Sequence, residues 1–241
     1  MIGTLVSLTI RALLNRRRTL LLALVGILLI VVGALSRLAD PSADEALTFS
    51  GRLLADFGIG VVLPLVAVVI GTAAVGSELE DGTLVYLLAK PIPRWLLAVV
   101  KLLAAWVTVV ALVAPALAIG ALVAGGDAQL ALAGAAAATV GALEYVAIFL
   151  ALSLVTGRAL VIGLAYVVVW ESVIAGLFAG TRILSVRQHA LAIGDAVRGD
   201  GIVPSTLDAG PALGVALLVA VLAAVIAVRN LERVELRGET G

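Results

Sequence analysis

The chain is 241 residues long, 63% apolar and 13% charged, with a mean hydropathy of +1.22; soluble domains run at about 45–50% apolar and about 25% charged, so a water-soluble fold is excluded and an integral membrane protein implied. The formal net charge is zero, and bulk electrostatics therefore points to no nucleic acid and no acidic ligand. Without a cysteine there is no disulfide, thiol nucleophile or cysteine metal site, and the compartment stays open on that count.

An apolar bilayer core of about 30 Å needs about 20 helical residues. Six apolar runs reach that scale, at 19–35, 53–75, 95–124, 128–155, 159–177 and 209–228. They lack the polar/apolar alternation of a lipid-facing barrel and are too long for its strands. The expected architecture is all-α, a single transmembrane domain over 1–241 with six membrane helices.

Ahead of the first run, Ile2, Leu5, Val6, Ile10, Leu13 and Leu14 fall near helical spacing with Arg11 and Asn15 among them. That pattern predicts an amphipathic helix within 1–18, lying along the membrane surface, with Arg16, Arg17 and Arg18 at anionic headgroups; a plain extension of the first span is the other reading. The run at 19–35 exceeds the 7–15 apolar residues of a signal peptide, and no small-x-small cleavage site follows it. Pro64 in the second run and Pro115 in the third are expected to bend their helices.

Between the second and third runs lies a polar stretch, 76–94, with Glu78, Glu80 and Asp81 at its start. The apolar residues Leu84 to Ala89 suffice for a helix of about two turns, started by Asp81 or Thr83 and stopped at Lys90 by Pro91. Three carboxylates beside anionic lipid cost energy unless something basic meets them, so a partner is expected there. The cations give the orientation. With the amino terminus inside, Arg11, Arg16, Arg17, Arg18, Lys90, Arg94, Lys101, Arg158, Arg229, Arg233 and Arg237 are cytoplasmic, eleven of the sixteen, and the positive-inside rule puts both termini and the 76–94 loop in the cytoplasm.

In the fourth run Gly134, Ala138, Gly141 and Ala142 recur at spacings of three and four, a face suited to close helix packing. Glu144 lies about twelve residues before the end of that run and Glu171 about twelve after the start of the fifth, which places both roughly 18 Å from one boundary and lets them face each other. Two readings stand for the pair: part of a substrate path or proton-sensitive gate, or carboxylates hydrogen-bonded to neighbouring helices. An intramembrane hydrolase would need a base or metal cluster beside them, and none accompanies them. The segment 178–208 carries the only histidine, His189, for which a surface or packing role is expected. Its apolar residues, Ile183, Leu184, Val186, Leu191, Ile193 and Val197, stand among Arg182, Arg187 and Arg198, which predicts short helices at or dipping into the outer leaflet.

The stretch SELEDGTLVYLLAKPIPRWLLAVVK resembles the intracellular loop of type-2 ABC (ATP-binding-cassette) permeases, whose pattern is E-x-E-x-G-T-L, apolar residues, P-[VI]-x-R and a lysine seven positions on. Glu78, Glu80, Gly82, Thr83, Leu84, Pro91, Arg94 and Lys101 match in order, with Lys90 at the end of the short helix. Leu79 stands where a basic residue is common, and Pro93 where serine is. The resemblance implies that 76–94 forms a coupling helix seated in a separate cytoplasmic ATPase subunit, and that two permeases and two ATPases form an exporter in the inner or plasma membrane of a prokaryote. It further implies that 178–208 helps close an outer gate. No G-x-x-x-x-G-K-[ST] phosphate loop occurs here, so the chain is expected to be no enzyme and to carry no cofactor, with ATP and magnesium in the partner. The second permease is a copy of this chain or a similar one. The rival readings are a proton-coupled secondary transporter using Glu144 and Glu171, which inverted repeats would favour, and a membrane assembly or immunity component that transports nothing.

Overall fold

The computed structural model describes residues 9–10, 13, 16–80 and 93–238. Every regular element among them is helical, and six helices are long and apolar enough to cross a membrane: Leu20–Ala39, Ala43–Gly76, Arg94–Val123, Ala128–Val155, Ala159–Leu177 and Ala209–Glu232. The helix expected within 1–18 falls mostly outside the described residues, and the short helix expected between Gly82 and Pro91 lies wholly outside them.

Helix α1 (Arg16–Ser36) is the first span, and a 3-10 turn at Arg37–Ala39 with Asp40 in the left-handed conformation ends it. The second span starts earlier than its apolar run. Ser42 accepts from the Glu45 N–H while Glu45 accepts from the Ser42 N–H, a capping box that opens α2 (Ala43–Arg52), and this reciprocal pair satisfies two donors that a helix start leaves orphaned. The rod continues through a π-helical segment, Leu53–Val62, into α3 (Leu63–Glu80). Pro64, which has no N–H to give, is the second residue after the π segment, where bonding changes from five residues back to four.

Helix α4 (Arg94–Val123) carries Pro115 inside it. Asp127 accepts from the Leu130 N–H and so caps α5 (Ala128–Val155), the fourth span. The fifth span is composite: α6 (Ala159–Ala165), a second π segment at Tyr166–Ile174, and α7 (Ala175–Leu177). After a 3-10 stretch at Ala179–Leu184, Ser185 caps α8 (Val186–Arg198), which stops at Gly199 with φ +80°, a conformation glycine adopts at no steric cost. Helix α9 (Ala209–Gly238) is the sixth span.

The fourth span is the centre, packed against α3, α4, α8 and α9. Its small residues explain how. Gly134 lies under the Leu54 and Leu117 side chains, Gly141 under Leu63 and Ala190, and Ala138 and Ala142 are fully buried. The first, fifth and sixth spans present most of their surface outward, with Leu21, Leu24, Val161, Val168, Val221 and Leu222 exposed. In a bilayer such faces meet acyl chains as apolar as themselves.

Candidate functional site

Two polar clusters interrupt the apolar bundle. The first surrounds the start of α8. Glu171 belongs to the π segment of the fifth span and is buried. Its carboxylate accepts from Tyr166 Oη at 3.2 Å, from Ser185 Oγ, from the Val186 N–H at 2.9 Å and from the Arg187 N–H at 3.4 Å. Tyr166 and Glu171 are five residues apart. On an α-helix of 3.6 residues per turn they would diverge, and the wider π turn brings them onto one face. Two of the remaining donors are the first backbone N–H groups of α8, so the carboxylate completes the amino end of that helix and meets its positive dipole.

Glu144, from the middle of α5, reaches the next turn of α8. It lies 3.0 and 3.2 Å from His189 Nδ1, with the histidine 0% and the glutamate 1% exposed. His189 Nε2 sits 2.9 Å from the Ile183 carbonyl. A carbonyl only accepts, so Nε2 carries a proton. One further proton then lies between Nδ1 and the carboxylate, whether the pair is written imidazolium and carboxylate or imidazole and carboxylic acid. In either form its net charge is zero, which is how two titratable groups tolerate full burial.

Glu144 and Glu171 meet neighbouring turns of α8, which takes up both, and no hydrogen bond joins them. His189, expected at the surface or in packing, is a buried partner of Glu144. Forty-five positions separate the two, and nothing in the sequence links them. Arg187, on the same turn, donates to Asp56 at 2.7 Å, and its guanidinium lies over Gly60, where a Cβ would stand 3.3 Å from it. Both π segments therefore face α8.

The far end of α8 is fixed as well. Arg198 pairs with Asp127 and lies 2.9 Å from Asp200, while Gln129 Nε2 donates to the Arg198 carbonyl at 2.9 Å. The Leu130 N–H holds the Asp127 carboxyl below its usual value against the opposing effect of burial, with the Arg198 guanidinium adding to the lowering.

The second cluster stands where the second and third spans approach the 76–94 loop. Glu78 and Glu80 fall in the last turn of α3. Gly82, Thr83, Leu84, Lys90 and Pro91 lie outside the described residues. Arg94 is the first residue of α4, with Pro93 as its N-cap. Two turns on, Lys101 is only 2% exposed and donates from Nζ to the Ala74 carbonyl at 2.9 Å. A buried ammonium is costly unless it is satisfied, and this one ties α4 to α3 one turn before Glu78.

No curated protein matches the chain. The sequence pattern of the family described as ABC-2 family transporter protein matches residues 10–190, three-quarters of the length. The match takes in the first five spans, the loop between the second and third, and α8 to just beyond His189, and the chain therefore belongs to the ABC-2 transporter family, as a membrane subunit of an ABC transporter.

Proposed function

We propose that the chain is the permease subunit of an ATP-binding-cassette exporter, driven by ATP that a separate cytoplasmic ATPase hydrolyses. The family match across the 76–94 loop carries this reading. Both termini and that loop lie in the cytoplasm, where eleven of the sixteen cations gather. Glu78, Glu80, Gly82, Thr83, Leu84, Lys90, Pro91 and Arg94 form the part that enters the ATPase, and Lys101 braces it. Two permeases, copies of this chain or one with a similar partner, work with two ATPases; ATP and magnesium bind there.

The packing supports a route for the motion. Lys101 on α4 holds the Ala74 carbonyl of α3, so a push on the loop moves both helices together. Both pack on α5, whose Glu144 holds α8 through His189. Closure of the ATPases thus biases the seat of α8, the piece of 178–208 inserted into the bundle, and its departure opens Glu144 and Glu171 to the substrate path. A two-state device of this kind responds only to differences in contact between its states.

Glu78→Ala tests the reading. The variant keeps its membrane fold and its thermal unfolding, and loses ATPase association or transport-linked hydrolysis by at least about tenfold. Unchanged pull-down and unchanged hydrolysis, or reaction of a cysteine at position 78 with an impermeant reagent from outside the cell, overturns it.

A further inference from the structure

A cavity of about 510 Å³ opens on one side of the bundle, between the end of α3, the end of α5 and the start of α6. Its walls include Val69, Ala73, Leu154, Leu160 and Val161. Of the hydroxyls that reach it, Thr72 donates to the Val68 carbonyl at 2.6 Å, Ser153 to the Leu150 carbonyl at 2.8 Å, and Thr156 accepts from the Arg158 N–H at 3.2 Å. Among the described residues that line it, one is charged, Arg158, which is exposed in the turn between the fourth and fifth spans. Its guanidinium has no ion pair among the described residues.

The cavity lies where three spans end together: Gly76 closes the second, Val155 the fourth, and Ala159 opens the fifth. A bilayer offers two things at that level, phosphate on the wet side and acyl chain on the dry side. The apolar wall matches the second and Arg158 the first. A zwitterionic headgroup would also bring an ammonium, and no carboxylate among the described lining residues awaits it. We propose that this cavity is a binding site for an anionic glycerophospholipid, its phosphate on Arg158 and its upper acyl chain against Leu154, Leu160 and Val161. The site rests on the membrane placement of the spans, and not on the direction or energy source of transport.

Native mass spectrometry of the full chain, loaded with equal amounts of phosphatidylglycerol and phosphatidylcholine, reads the preference directly. The wild type retains several-fold more phosphatidylglycerol. Arg158→Gln lowers that excess about fivefold, which corresponds to about 1 kcal/mol for one cation at a lipid surface, and it folds normally because the Arg158 guanidinium anchors nothing described and its backbone bonds are kept. Gly76→Leu is the second variant. A Cβ there meets only Ser153 Cβ, at 3.7 Å, so the side chain occupies cavity volume without a backbone clash, and retention of both lipids falls while the anionic preference stays. An unchanged preference in Arg158→Gln overturns the proposal. So does displacement of the lipid by soluble glycerol phosphate at matched concentration, which would mean that the site reads the anion alone, or lipid-excluding disulfide formation between two copies of Arg158→Cys, which would mean that a second copy fills the groove.

Discussion

The proton between Glu144 and His189 joins two residues that are each costly alone and tolerable together. His189→Leu leaves a carboxyl buried at 1% exposure with its one described partner gone, and breaking a buried pair from one side costs about 3–5 kcal/mol. The double variant Glu144→Leu/His189→Leu leaves nothing unpaired and regains most of that loss, because apolar replacement of a buried pair is often neutral. Detergent-solubilised unfolding of wild type, both single variants and the double closes the cycle; additive losses in the double would show that the two act independently. Both carboxylates were legible in the sequence, since a charge inside an apolar run is conspicuous. Their partners were not. His189 and Ser185 come from a different segment, and their nearness to Glu144 and Glu171 follows from how α8 packs, which no spacing rule encodes.

At the scale of elements, polar stops mark helix ends plainly and helix type poorly. Asp127 before α5 and Thr156 after it are visible as breaks in an apolar run. The second span shows the limit: apolar length alone starts it near residue 53, because Asp44, Glu45 and Arg52 dilute the hydropathy, whereas the Ser42–Glu45 capping box starts it at Ala43. The π segments left no sign, since π and α turns use the same residues and differ only in which carbonyl each N–H finds. Asp127 serves two elements, as cap of α5 and as partner of Arg198 at the end of α8. Asp127→Ala is expected to cost about 1–2 kcal/mol as a lost cap and to speed amide exchange at both places, whereas a pure cap would affect α5 alone. Its folded carboxyl titrates below the 3.8 usual for an aspartate. The contribution is therefore in place above pH 3.8 and disappears as pH falls through the folded value, a dependence that the alanine variant lacks.

At the scale of the whole molecule, the fourth span acts as a hub because its side chains are small. Gly141 sits where α5 meets both α3 and α8; a Cβ there would stand 2.8 Å from Leu63 Cδ2 and 3.0 Å from Ala190 Cβ. The spacing of Gly134, Ala138, Gly141 and Ala142 made a packing face readable, but not its neighbours, since small residues state how near a helix comes and not which helix comes. One of those neighbours is α8, so the same glycine that lets the second span approach also admits that helix beside Glu144. Gly141→Val forces both apart, and overpacking of this kind costs about 1–3 kcal/mol. Gly214 in the sixth span provides the comparison, because a Cβ there meets nothing within 4 Å and its valine variant faces lipid. Unfolding in detergent is expected to separate the two substitutions by that amount. A cysteine introduced at Thr206, beside Gln188 of α8, reports whether α8 has moved: its labelling rate rises in the Gly141→Val background and stays at the wild-type rate in Gly214→Val. Equal rates in the two backgrounds would mean that α8 is seated by its charged anchors alone, and that the small face of the fourth span serves only the helices packed along it.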